Sequence, residues 1–279
     1  MTAVVRLTGL HGNSPVGFLA AMGLLRLMGG RMAWDEGCVA VFAPPSGVED
    51  VVSALLKLLH GCSRQYEGFP EHPKNMTPET WQDLYAKRPE WAEVLGGEDK
   101  KGFRPTSLCL GAGQLKMVRD ALKSAVLVDP AEQDKDAVRA RLDEALFGPW
   151  QYKDSVHSLC LDPDAKRDGA FSRTEPSKTE TRGVAAAYWL AFQGLVVVPV
   201  IAGQTSGATR SGWSWVTGPH QRGLSGWRSL VVAASAMSPK ELAAQEVTLW
   251  HSRFGRSGSI GWLLHPRPVR GLEAAGTGA

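Results

Sequence analysis

Residues 10–30 read LHGNSPVGFLAAMGLLRLMGG. Asn13 or Ser14 can cap the free backbone N–H groups of a helix start, and Pro15 suits the first turn, where its missing N–H costs nothing. From position 16 to 28 the only charge is Arg26. A helix apolar on nearly every face belongs in the middle of a core. Gly17, Ala20, Ala21 and Gly23 keep part of it slim. Gly23 costs about 1 kcal/mol relative to Ala in a helix interior, so the sequence predicts another element crossing closely there. Upstream, residues 4–7 (Val-Val-Arg-Leu) read as a short strand, and residues 9–14 as the turn into the helix. Strand, polar turn and helix N-terminus together can hold an anion or can simply be capped. The stretch has no G-x-x-x-x-G-K and no G-x-G-x-x-G, so a nucleotide fingerprint is missing.

The turn Asn13-Ser14-Pro15 and the run Phe18-Leu19-Ala20-Ala21-Met22-Gly23-Leu24-Leu25-Arg26-Leu27 resemble the N-terminal signature of proteins in the U/G subtype of type I CRISPR effector complexes. Members open with a short strand, a small polar turn and a helix of the form F/Y-L-x-A-x-G-L-L-R-L. A second segment, FSRTEPSKTETRGVAAAYWLAFQGLVVVPV at residues 171–200, resembles the family's Arg- and Pro-containing loop before an Ala-rich helix ending L-A-x-x-G-L. A GAGQ turn at residues 111–114 is a third, shorter echo. The resemblance implies a non-catalytic subunit of a surveillance complex (Cascade), large-subunit-like or accessory. It also implies crRNA, target DNA and other effector subunits as partners, with a possible part in reading the motif beside the target. At 279 residues the chain is short for a large subunit.

Length and composition agree with one large or two smaller globular units: hydrophobic residues are 43% and charged ones 21%. The fold class expected is α+β, with mixed sheets, packed helices and a central apolar helix at residues 15–29. An N-terminal region (1–150) and a basic, Trp-rich C-terminal region (151–279) are separate domains or one continuous unit. The net charge of +3 hides an asymmetry: residues 181–279 hold nine Lys/Arg against three Asp/Glu, so that third is +6 and residues 1–180 are −3. A basic region points to a polyanion partner; the alternative is arginines scattered over unrelated faces. Four Cys at 38, 62, 109 and 160 form no C-x-x-C pair, which argues against structural zinc and for free thiols in a reducing, cytoplasmic compartment. The apolar run at 15–28 is too short for a membrane span. No cofactor is expected.

Along the rest of the chain the expected elements are strands at 38–42, 107–110, 156–161, 195–201, 213–215 and 260–264. Helices are expected at 48–59, from 77–78, from 89–90, and at 114–125, 130–147, 183–193, 227–236 and 239–250. Residues 96–102 read as a charged loop, 162–182 as a long polar loop, and 271–279 as a disordered tail. Asp162, Asp164 and Asp168 lack the Gly and the last carboxylate of a calcium loop. The seven His show no metal-ligand or base–nucleophile spacing, so no catalytic or metal residue is assigned. Nucleic-acid contacts are expected from Lys100, Lys101 and Arg104 in the charged loop and from Arg210, Trp213, Arg222 and Arg228 in the Gly/Ser/Trp-rich stretch. Arg253, Arg256 and Arg267 in the basic tail complete the set, because Arg grips phosphate and Trp can stack on a base. Two other functions stay open: an RNA-processing enzyme with a nonlocal His such as His11, and a structural assembly protein.

Overall fold

In the computed structural model, which describes residues 4–66, 76–99, 102–105, 117–166, 182–201, 204–205, 208, 212–234, 236–257 and 260–269, the first strand, β1 (Val5–His11), runs longer than expected. It pairs antiparallel with β3 (Val39–Ala43), with a register shift between Leu7 and His11. A strand the sequence reading missed, β2 (Arg31–Trp34), pairs on the other side of β3. Helix α1 (Pro15–Met28) leaves β1 through the polar turn; Ser14, not Asn13, is the cap, its hydroxyl accepting from the Gly17 N–H at 3.3 Å. Eleven of its fourteen residues are buried. Its single charge escapes at the last turn, where the Arg26 guanidinium lies over the Trp91 ring at 4.8 Å and donates to Gln193 Oε1 at 3.1 Å.

Helices α2 (Val51–Leu58), α3 (Pro78–Lys87), α4 (Pro89–Leu95), α5 (Met117–Val128) and α6 (Lys135–Phe147) follow. Asp50, Thr77 and Asp134 cap three of them with side-chain oxygens. The charged segment expected as a loop pairs instead: β4 (Gly96–Asp99) and β5 (Gly102–Pro105) are antiparallel. No strand forms at 156–161; Leu159 and Cys160 have left-handed backbone (φ 53° and 58°), which breaks an extended run. The strand expected at 107–110, the GAGQ turn and the terminal tail lie outside the described residues.

The second small-residue helix, α7 (Ala185–Gly194), is buried along its whole length and crosses α1. The crossing is backbone against backbone. A Cβ on Gly23 would overlap the Leu190 carbonyl oxygen, and a Cβ on Gly194 would overlap that of Leu19. Each glycine thus lies against the backbone of the other's helix, which explains why residues costly to a helix occur at both places. The strand expected at 195–201 opens as a 3-10 turn, Leu195–Val197, before a two-residue strand β6 (Val200–Ile201) paired with β7 (Gln204–Thr205).

Beyond it come β8 (Gly212–Thr217), α8 (Leu224–Ala234) and α9 (Pro239–Ala244). The helix expected over 239–250 stops six residues early. Glu246 takes left-handed backbone (φ 52°) and the chain turns into a ten-residue strand, β9 (Thr248–Ser257). β9 pairs with β8 on one side and with β10 (Ile260–Leu263) and β11 (Arg267–Pro268) on the other. Among the described residues all pairings are antiparallel, so the class is α+β, and the parallel pairing that mixed sheets would bring is not found there. Apolar packing runs across position 150 without interruption. Trp34 meets Trp227 edge-on at 4.7 Å, and the Trp227 indole donates to the Met32 carbonyl at 2.9 Å.

Candidate nucleic-acid interface

Side chains directly opposite in an antiparallel pair share a face, so the β8–β9 register sorts this sheet. On the inner face stand Trp213, Trp215 and Thr217, facing Ser252, Trp250 and Thr248. Trp213 and Trp215 stack on each other at 4.8 Å and tilt against Phe18 of α1. Trp213 is 0% exposed. It therefore has no open ring face for a base, and its place among the expected contact residues is corrected: it is core. Most of the ten tryptophans share that fate. Seven are at most 2% exposed, and only Trp150, Trp250 and Trp262 are partly open.

The outer face is different. Ser214 lies opposite His251, and Arg267 on β11 lies opposite His251 from the other side. Arg253 is two residues along β9, hence on the same face. Arg253 and Arg267 are exposed, and among the described residues neither is in an ion pair. Between them the His251 Nδ1 sits 2.8 Å from the Ser214 hydroxyl. Partial burial, and then the charge of Arg253, hold the His251 pKa below its usual value, so the ring is neutral at pH 7. The face thus carries two arginine forks, each able to grip two phosphate oxygens, around a neutral imidazole.

That arrangement has a pH consequence. A histidine whose folded pKa is depressed adds stability that is present above its unfolded value, about 6.5, and lost as pH falls through the folded value. We expect the melting temperature of the wild type to drop more steeply below that pH than that of His251→Gln, measured by thermal denaturation across pH. Equal slopes would show that the imidazole feels neither the burial nor the arginine.

The remaining expected residues separate. Arg228 is paired with Glu93 at 2.9 Å, so its charge is already matched. Arg222 stacks over the Trp227 ring at 5.9 Å, and its backbone bridges to Met32, placing it at the seam with the first sheet. Arg104 and Arg256 stand opposite Gly97 on β4 and Gly261 on β10, but their side chains lie outside the described residues, as do Lys100, Lys101 and Arg210 altogether. Of the ten residues, the fold brings two onto one face, Arg253 and Arg267. Sequence reasoning missed His251 and Ser214. The signal was the alternation His251-Ser252-Arg253, hidden by reading residues up to 250 as helix.

Among the described residues no group of three His, Cys, Asp or Glu is placed to hold a metal ion, and no helix is long and apolar enough to cross a membrane. Among the described residues Cys38, Cys62 and Cys160 form no disulfide. Compared with known proteins, the chain matches no family model and none of the curated proteins.

Proposed function

We propose that this chain is a non-catalytic, nucleic-acid-binding subunit of a type I CRISPR surveillance complex of the U/G subtype, holding the phosphate backbone of crRNA or target DNA. The observation that carries the binding role is the outer face of the β8–β9–β11 sheet, where Arg253 and Arg267 project without an ion-pair partner among the described residues. Guide-directed complexes read sequence by base pairing and need protein for backbone and shape; two exposed arginines on one strand face suit that task. The family assignment leans on the two segments quoted above, at 10–30 and 171–200. The helices they contain, α1 and α7, cross at Gly23 and Gly194, so the resemblance falls on one structural unit. Other effector subunits are the proposed protein partners.

The test is purification of the tagged chain from cells that express it with its neighbouring genes and a CRISPR array. Expected is co-purifying RNA of one discrete length carrying repeat sequence. A nucleic-acid-free preparation that also fails to bind labelled RNA or DNA at low salt overturns the proposal. RNA cleavage by the pure protein, abolished by His251→Ala or His11→Ala, overturns the non-catalytic part in favour of a processing enzyme.

A further inference from the structure

A cleft of about 790 Å³ opens on another part of the surface, between the β1–α1 turn and the chain after α6. Three aromatic rings line it: Phe147, Trp150 and Tyr152, all partly exposed. Trp150 is held by its indole N–H, which donates to the Ala145 carbonyl at 3.1 Å, and Tyr152 meets it edge-on at 6.4 Å. The polar lining includes Asn13 from the turn, Asp164 and Arg182. Arg182 donates one N–H to the Lys153 carbonyl at 3.0 Å, which anchors the guanidinium at the mouth. Asp164 is half exposed and 3.8 Å from His265.

Aromatic rings with a few convergent polar groups make a site for a flat, polar-edged molecule, and nucleobases stack on such rings. An ionised carboxylate only accepts hydrogen bonds. Among the four RNA bases, guanine alone presents two adjacent N–H donors, N1–H and the N2 amino group, that match both carboxylate oxygens. An asparagine amide both donates and accepts, which suits the neighbouring edge atoms, and an arginine at the mouth suits the phosphate. We propose that this cleft binds a single guanine nucleotide, its base on the aromatic wall, its edge read by Asp164 and Asn13, and its phosphate toward Arg182. The proposal rests on the nucleic-acid reading for its occupant, an unpaired guanosine of the bound strand, but uses none of the residues on the sheet face.

The experiment is calorimetric titration of the full chain with GMP, AMP, CMP and UMP. Expected is binding of GMP about 5- to 150-fold tighter than of UMP, the range a bidentate base contact gives. Asp164→Asn, a change on an exposed side chain, should remove that preference. Trp150→Ala should weaken GMP about 5- to 150-fold through lost stacking, while Trp150→Phe keeps most of it; the melting temperature of each variant shows whether it is folded. No heat with GMP up to about 5 mM, a few-fold above the millimolar end of the affinity scale, overturns the site. So does equal affinity for all four nucleotides, or an Asp164→Asn variant that still prefers GMP. Arg253→Ala with Arg267→Ala should leave GMP binding intact. GMP binding without any polymer binding sinks the sheet-face function and keeps the cleft; polymer binding without GMP binding does the reverse.

Discussion

Gly23→Leu should yield no soluble, folded protein. Position 23 is where the backbones of α1 and α7 touch: the Leu190 carbonyl and the Gly194 N–H already occupy the space a Cβ needs. Overpacking a core against movable side chains costs about 1–3 kcal/mol. Here the obstacle is backbone inside a helix, so the two helices must separate and α1 must pull away from the aromatic cluster it supports. Even Gly23→Ala should cost about 3 kcal/mol and lower the melting temperature by about 6–12 °C. Gly223→Ala is the control, since a Cβ there meets only the Gly30 carbonyl oxygen, at an ordinary 3.8 Å. A soluble Gly23→Leu protein melting with the wild type would show that the helices do not cross at these glycines.

Asp129→Ala should be the most damaging polar substitution. Its carboxylate is 0% exposed and accepts from the N–H groups of Gly61 at 2.7 Å, Ser63 at 3.0 Å and Ala131 at 2.8 Å, and from the Ser63 hydroxyl at 2.6 Å. Burial by itself pushes the carboxyl pKa up, but the four hydrogen bonds together outweigh it and hold the group below its usual value. Hydrogen bonds to a charged group are worth about 1.5–3 kcal/mol each, and donors left unpaired in the interior add to the loss. A destabilisation of about 3 kcal/mol or more is expected in urea unfolding. Because the folded pKa is depressed, this stability is present above the unfolded value, about 3.9, and is lost as pH falls through the lower folded value. The gap between wild type and Asp129→Ala should therefore narrow in acid. A gap that stays constant down to pH 2 would mean the carboxylate is not the charged acceptor.

These two sites show what the sequence could and could not reveal. Gly23 was legible because a glycine inside an apolar helix has a local cost that needs a local reason. Its partner, Gly194, was visible only as the end of a second small-residue helix; that the two meet is a tertiary fact. Asp129 gave no sign, because Gly61 and Ser63 lie 68 and 66 residues away. The strand β2 was missed because Met32, Ala33 and Trp34 are all buried, so no polar alternation marks them. The pairing of β4 with β5 was missed because Glu98, Asp99, Lys100 and Lys101 read as loop. At the sheet face, Trp213-Ser214-Trp215 correctly signalled a strand, but alternation does not tell which face meets the core. The tryptophans went inward and the expected stacking platform became the floor of the sheet. Arg253 was found from its basic, glycine-containing surroundings, whereas the row that gives it meaning, Ser214, His251 and Arg267, needs the register of three strands.

The most direct measurement is the salt dependence of binding to a single-stranded RNA for the wild type and for Arg253→Ala with Arg267→Ala. If the sheet face holds phosphate, the double variant binds more weakly to every sequence tried. Its slope of log K against log salt is then shallower by about 1.4, near 0.7 for each lost phosphate contact on a single strand. Both side chains are exposed and lack ion-pair partners among the described residues, so its melting temperature should match the wild type. An unchanged affinity and slope, with the protein folded, would contradict the account and remove this face as a nucleic-acid surface.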